Sequence, residues 1–130
     1  MTANGHNGEP RAIAVLVIED DTDSRELYEV LLDSLGWRVV TAGSGGAALG
    51  LITSSWIDCI VSDLSLPDGD GYDLLPALRA RAGRRIPAVA ISGFGHEDDI
   101  RRSAEAGFDV HMTKPIRVSD LREVVERLVS

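Results

Sequence analysis

Cysteine is nearly missing from this 130-residue chain: Cys59 is the only one. One thiol excludes an internal disulfide. Positive charge is in the minority, with 13 Lys and Arg against 21 Asp and Glu and a net charge of −8. That balance disfavours nonspecific attachment to nucleic acid or to an anionic membrane surface. No apolar run approaches the length needed to cross a bilayer. Residues Met1–Arg11 hold no hydrophobic stretch and do not read as a secretory signal. Rich in Gly and Asn with a Pro, residues 1–11 read as a disordered tail, and the single His6 there builds no metal site. The chain has no internal repeat, no low-complexity segment beyond the tail and no domain boundary after residue 12. The expectation is one cytoplasmic domain over residues 12–130, with no membrane and no direct nucleic-acid partner.

What is present suits that size. A chain this long hides roughly two-thirds of its unfolded surface on folding, enough for one hydrophobic core. Hydrophobic residues make up 44% and charged residues 26%, as in an ordinary globular protein. Five β-rich apolar runs punctuate the chain: Ile13–Ile18, Trp37–Thr41, Ile57–Val61, Ala88–Ile91 and Val110–Met112. The first, third and fourth are almost continuously apolar, which marks strands buried on both faces of a parallel sheet. Helical spacing fills the gaps. Leu27, Val30, Leu31 and Leu35 recur at that spacing, with Thr22 or Asp23 as the candidate cap and Gly36 as the stop. Ala47, Ala48, Leu51 and Ile52 form a second stripe, and Leu74, Leu75 and Leu78 a third. Ile100 and Ala104, with Ser103, mark a short, weakly apolar fourth helix that Gly107 ends, and Leu121, Val124, Val125 and Leu128 mark a fifth. Five β-α units with short connections predict an α/β fold. The sheet is parallel, the crossovers are right-handed and helices cover both faces.

In such a sheet the functional site forms outside the carboxyl ends of the strands. Glu19-Asp20-Asp21 follows the first strand, Asp63 the third, Ser92-Gly93 the fourth and Lys114-Pro115 the fifth. The second ends in Thr41-Ala42-Gly43-Ser44 and adds no charge. One edge therefore collects acids, a hydroxyl and a lysine. Carboxylates brought together repel, so some must protonate or bind a cation. A hard, oxygen-lined site suits Mg²⁺. A lysine and a serine hydroxyl can meet further phosphate oxygens, and an aspartate can itself be the nucleophile that forms an acyl phosphate.

These four segments in order resemble the receiver domains of two-component response regulators. They are Val17-Ile18-Glu19-Asp20-Asp21, Asp63-Leu64-Ser65-Leu66-Pro67-Asp68-Gly69-Asp70-Gly71, Ala90-Ile91-Ser92-Gly93 and Lys114-Pro115. The resemblance covers residues 12–130 and implies a single doubly wound CheY-like domain of sheet order 2-1-3-4-5. It implies that Asp63 is phosphorylated and that Asp20, Asp63, the Ser65 carbonyl and, through water, Glu19 hold Mg²⁺ or Mn²⁺. Ser92 matches the switch hydroxyl and Lys114 the family's lysine, with a cis bond at Lys114-Pro115. His111 stands where the family usually carries Tyr or Phe as the second switch residue; imidazole is smaller and titrates near neutral pH. The implied partners are a histidine kinase or histidine phosphotransfer protein as donor. A downstream protein would meet the face made by the fourth helix, fifth strand and fifth helix. The implied role is bacterial phosphorelay signalling, in which the domain is no enzyme beyond its own phosphorylation and dephosphorylation. It would be a single-domain regulator or a receiver cut from a hybrid kinase, which the stretch 90–116 resembles most.

Other features carry plainer readings. Asp21 begins the first helix and Asp23 caps it. Asp68-Gly69-Asp70-Gly71 fails as a calcium loop, since aligning Gly71 as the loop glycine puts Leu66 first and Ala77 last; it reads as a turn into the third helix. Cys59 is a buried thiol. His96 faces solvent, and Arg79, Arg81, Arg84 and Arg85 form a solvated helix end. Gly93-Phe94-Gly95 has two glycines that permit movement. A nucleotide- or flavin-binding domain of the same architecture would need a Gly- or Ser/Thr-rich loop after the first strand, where this chain has Glu-Asp-Asp. An aspartyl-phosphate hydrolase would place a second acid where Ser65 stands.

Overall fold

The computed structural model describes residues 12–66, 69–93 and 97–130. The expected tail, Phe94 and Gly95 of the expected movable loop, and His96 lie outside the described residues. The elements are β1 (Ala14–Ile18), α1 (Thr22–Asp33), β2 (Arg38–Ala42), α2 (Gly45–Ser54), β3 (Cys59–Asp63), β4 (Ser65–Leu66), β5 (Gly69–Asp70), α3 (Gly71–Ala82), β6 (Ala88–Ser92), α4 (Glu97–Glu105), β7 (Val110–Thr113) and α5 (Val118–Val129). Five strands form one parallel sheet in the order β2-β1-β3-β6-β7. Counting only that sheet's strands, this is the expected order 2-1-3-4-5. β4 and β5 pair as a separate antiparallel ribbon, Ser65 opposite Asp70, where only a turn was expected.

The continuous apolar runs explain themselves in the packing. Successive strand side chains point to opposite faces, and both faces here are covered. Val15 and Val17 of β1 join Val61, Val89 and Ile91 in one core with Leu32 of α1 and Leu121 and Val125 of α5. Leu16 and Ile18 point the other way and join Ile60, Ala88 and Ala90 with Ala48 and Ile52 of α2 and Leu75 and Leu78 of α3. α4 packs against β7 at the sheet edge. Cys59 lies in the first core, and burial pushes its thiol up to about 12.

Four details differ from the sequence reading. The third strand runs two residues later than Ile57–Val61. Asp58 closes the strand's entry instead, its N–H donating to the Ala14 carbonyl (2.7 Å) and its Oδ2 accepting from the Ala14 N–H (2.8 Å). Asp63 and Ser92 are consequently strand residues, paired with Ile91 and Thr113, rather than loop residues beyond the strands. The cap of α1 is Asp21, not Thr22 or Asp23: its Oδ2 accepts from the N–H (2.9 Å) and Oγ–H (2.7 Å) of Ser24. The inward residues of α1 are Tyr28 and Leu32, with Leu35 just beyond the helix end; Leu27 is 58% exposed and Val30 is exposed too. A helix laid beside α5 over the sheet buries one narrow stripe, and four leucine-like residues do not all fit it. Finally, Arg79 is a tether rather than a solvated end. It donates to the carbonyls of Ile86 (3.0 and 2.8 Å) and Gly107 (2.8 Å). Arg84 lies over the Trp56 ring and donates to the Ile57 carbonyl.

Candidate functional site

Parallel pairing in register brings the ends of β1, β3, β6 and β7 to one edge, so residues far apart in sequence meet there. Glu19 leaves β1 with its N–H donating to the Ala42 carbonyl of β2 (3.0 Å). Its side chain turns inward and is 2% exposed. Asp63 ends β3 and is 7% exposed. Lys114 follows β7, and its Nζ lies 2.9 Å from Asp63 Oδ2 and 3.2 Å from Glu19 Oε1. The Ser65 N–H donates to Asp63 Oδ1 at 2.8 Å, and the Asp21 N–H donates to Glu19 Oε2 at 3.1 Å. Both carboxylates are thus held at both oxygens. Asp20 sits beside them and is exposed. One carboxylate oxygen from each of Glu19, Asp20 and Asp63 lies within 4.8 Å of the others.

The electrostatics follow from three carboxylates facing one ammonium. Burial raises the Glu19 pKa above its usual value, and neighbouring Asp63 adds to that; the Asp21 N–H and Lys114 oppose it. For Lys114 burial pulls the pKa down, yet the bond and charge of Asp63 and the charge of Glu19 outweigh it, so the ammonium is held charged well above its usual range. The donor set is all oxygen, with two buried carboxylates and an exposed third. Such a set fits a hard divalent cation that uses a few carboxylates and keeps water on its open side.

Lys114 also fixes the neighbouring strand end. Its N–H donates to the Ser92 carbonyl at 2.8 Å, and the Lys114–Pro115 bond is cis, as expected. Ser92 is buried, and its Oγ lies 2.9 Å from His111 Nε2. Ala90 pairs with His111, so Ser92, two residues on, lies on the same sheet face as the imidazole, diagonally across the ladder. The structure therefore brings Glu19, Asp20, Asp63 and Lys114 together, with Ser92 and His111 joined to each other at the adjoining strand ends. Ser65 reaches Asp63 through its N–H.

Arg25 is the residue that sequence reasoning missed. From α1 it reaches back beneath the acidic turn, and its Nη1 donates to the Glu19 carbonyl at 2.9 Å. Gly43 makes room for it: a Cβ there would stand 2.9 Å from the same nitrogen. The usable signal is the placement of a glycine just after β2, level with the acidic turn.

Comparison with known proteins agrees with this geometry. The profile of the response regulator receiver domain matches residues 15–126. An uncharacterised 14.6 kDa protein of Leptolyngbya boryana is 31% identical over 114 residues, 87% of each chain. The sensor histidine kinase RcsC of Salmonella typhi is 31% identical over 111 residues, which cover 85% of this chain and 12% of that kinase. Among solved structures, the receiver domain of sensor histidine kinase PA1611 from Pseudomonas aeruginosa superposes with a TM-score of 0.82. It is 28% identical, covers 92% of this chain and 98% of that one, and has a magnesium ion coordinated in its active site cleft.

Proposed function

This chain belongs to the response regulator receiver domain family, and from that premise we propose that it is a phosphoacceptor in which Asp63 takes a phosphoryl group from a phosphohistidine. A carboxylate oxygen of Asp63 attacks phosphorus as the N–P bond of the donor breaks. The leaving imidazole takes a proton from water, and Asp63 becomes an acyl phosphate. The observation that carries this reading is Lys114 Nζ bridging Asp63 (2.9 Å) and Glu19 (3.2 Å) beside exposed Asp20.

Each residue then has a task. Lys114 already rests on the nucleophile and meets the incoming phosphoryl charge, the kind of fixed electrostatic help on which phosphoryl transfer depends. Glu19, Asp20 and Asp63, with the Ser65 carbonyl, would hold a divalent cation, Mg²⁺ or Mn²⁺. That cation, when bound, supplies neutralising charge for the phosphoryl oxygens. The Ser65 N–H orients Asp63 by holding Oδ1. Ser92 offers its hydroxyl to a phosphoryl oxygen, and its bond to His111 carries the event into β7. The α4-β7-α5 face is the surface read by a downstream protein. The donor is a histidine kinase or histidine phosphotransfer protein, and the domain acts on no other substrate. The setting is the bacterial cytoplasm, and the domain spans residues 12–130.

The test is direct. Incubation with acetyl phosphate and Mg²⁺ should add the mass of one phosphoryl group, and Asp63→Asn should abolish the gain. An unchanged gain in Asp63→Asn, or none in the unaltered protein, overturns the reading.

A further inference from the structure

The Ser92–His111 contact poses a question of proton direction. A serine hydroxyl has one proton, and a neutral imidazole carries one N–H, on either of its nitrogens. At 2.9 Å, Ser92 Oγ and His111 Nε2 share a hydrogen bond whose donor is one group or the other. If Nε2 is bare, the hydroxyl donates to it and has no proton for anything else. If Nε2 carries a proton, the ring donates, Ser92 Oγ accepts, and the hydroxyl proton is available to a third group. Asp63 Oδ1 and Oδ2 already accept from the Ser65 N–H and from Lys114.

In the unphosphorylated protein the surroundings favour the neutral ring, which leaves one of its two nitrogens bare. Burial lowers the His111 pKa, with the Asp99 charge acting the other way, so the neutral form of the ring is favoured. β6 and α4 pack most closely against β7, and Met112 of β7 also meets the core that holds Leu121 and Val125 of α5. β6 presents Ser92. α4 presents Asp99, whose Oδ1 accepts from the Tyr72 hydroxyl at 3.2 Å. Lys114, farther along the same segment, is committed to Asp63 and Glu19.

We infer that His111 is a positioning residue that directs the Ser92 proton: bare Nε2 holds it, and protonated Nε2 releases it toward a phosphoryl group on Asp63. This rests on the acceptor reading of Asp63. An acyl phosphate brings roughly 1.5–2 negative charges and three acceptor oxygens, a demand for donors that the second arrangement meets while keeping the Ser92–His111 bond. The change needs no co-reactant: in the neutral ring a proton leaves Nδ1 to water and another arrives at Nε2. A side chain that merely filled the Tyr or Phe position would give Ser92 no such choice.

Ring ¹⁵N signals of His111 provide the test, in the full chain before and after acetyl phosphate with Mg²⁺. Before phosphorylation, Nε2 should resonate as an unprotonated nitrogen. Ser92→Ala should then raise the His111 pKa by about 0.4–1 unit, the worth of one ordinary hydrogen bond to the neutral ring. After phosphorylation, verified by mass, Nε2 should move to the protonated range. A protonated Nε2 at the outset, or no response to Ser92→Ala, overturns the resting half. A bare Nε2 in protein that has gained its phosphoryl group overturns the release half while leaving the acceptor reading intact. A protein that gains no mass removes the acceptor reading and the release with it, and the resting half is still decided by the first spectra.

Discussion

Lys114 is the group whose removal says most about how the acidic edge is held. Lys114→Met keeps the length of the side chain and deletes the ammonium. Glu19 and Asp63, 2% and 7% exposed, then face each other without a counterion. Removing one partner of a fully buried pair costs roughly 3–5 kcal/mol. The Lys114 side chain is 35% exposed, so water screens part of the interaction, and the discounted cost is about 1–2 kcal/mol at pH 7. For a domain of this size that lowers Tm by about 3–10 °C. The pH dependence has a definite sign. Lys114 has a folded pKa above its unfolded one, so its contribution is complete below about pH 10.4 and is lost only as pH rises beyond that. Glu19 is also raised in the folded state, and losing the ammonium raises it further. A raised carboxyl binds its proton more tightly when folded, so its effect favours folding at low pH and is lost as pH rises through the folded pKa. The deficit of Lys114→Met should therefore be largest near pH 7 and shrink toward pH 4. Thermal unfolding followed by circular dichroism across that range measures it. An unchanged Tm at pH 7, or a deficit that grows on acidification, would refute the reasoning.

Three further expectations follow from the packing. Gly43→Ala should push Arg25 off the Glu19 carbonyl and weaken Mg²⁺ binding by about 3–10-fold, a loss in the range of one ordinary hydrogen bond; calorimetric titration would show it, and unaltered affinity would count against a role for Arg25. Leu32→Ala, at a fully buried site, should cost about 2–5 kcal/mol in urea unfolding, whereas Leu27→Ala should stay within about 0.5 kcal/mol; equal costs would show that the inward stripe of α1 is misassigned. Cys59, with its thiol pushed up to about 12, should resist thiol reagents at pH 8 until the chain is denatured, and fast labelling of the folded protein would contradict its burial.

Much of this was readable before any coordinates. Glu19, Asp20, Asp63, Ser92 and Lys114 could be found because strand ends in a parallel sheet share one edge, and apolar runs locate those ends within two residues. The two-residue slip at β3 arose because Ile57 is as apolar as a strand residue, while the ladder starts where Asp58 has closed the entry against Ala14. Leu27 and Val30 misled for a related reason: periodicity reports every apolar residue, and packing against the sheet and α5 selects among them. The Ser92–His111 bond depends on the diagonal register of β6 and β7, and Arg25 on a side chain reaching back from its helix. Neither is marked by the residues beside it, and the one sign of Arg25 is the distant Gly43. Arg79 was hidden likewise, since its partners at Ile86 and Gly107 are loop carbonyls.

Asp63 is expected to accept a phosphoryl group from a nitrogen–phosphorus bond. Phosphoramidate carries that bond in a small molecule and stands in for phosphohistidine. Phosphoramidate and Mg²⁺ should add one phosphoryl group, fragmentation should place it on Asp63, and chelating the cation or replacing Asp63 by Asn should prevent it. A phosphoryl group found on any other residue would contradict it.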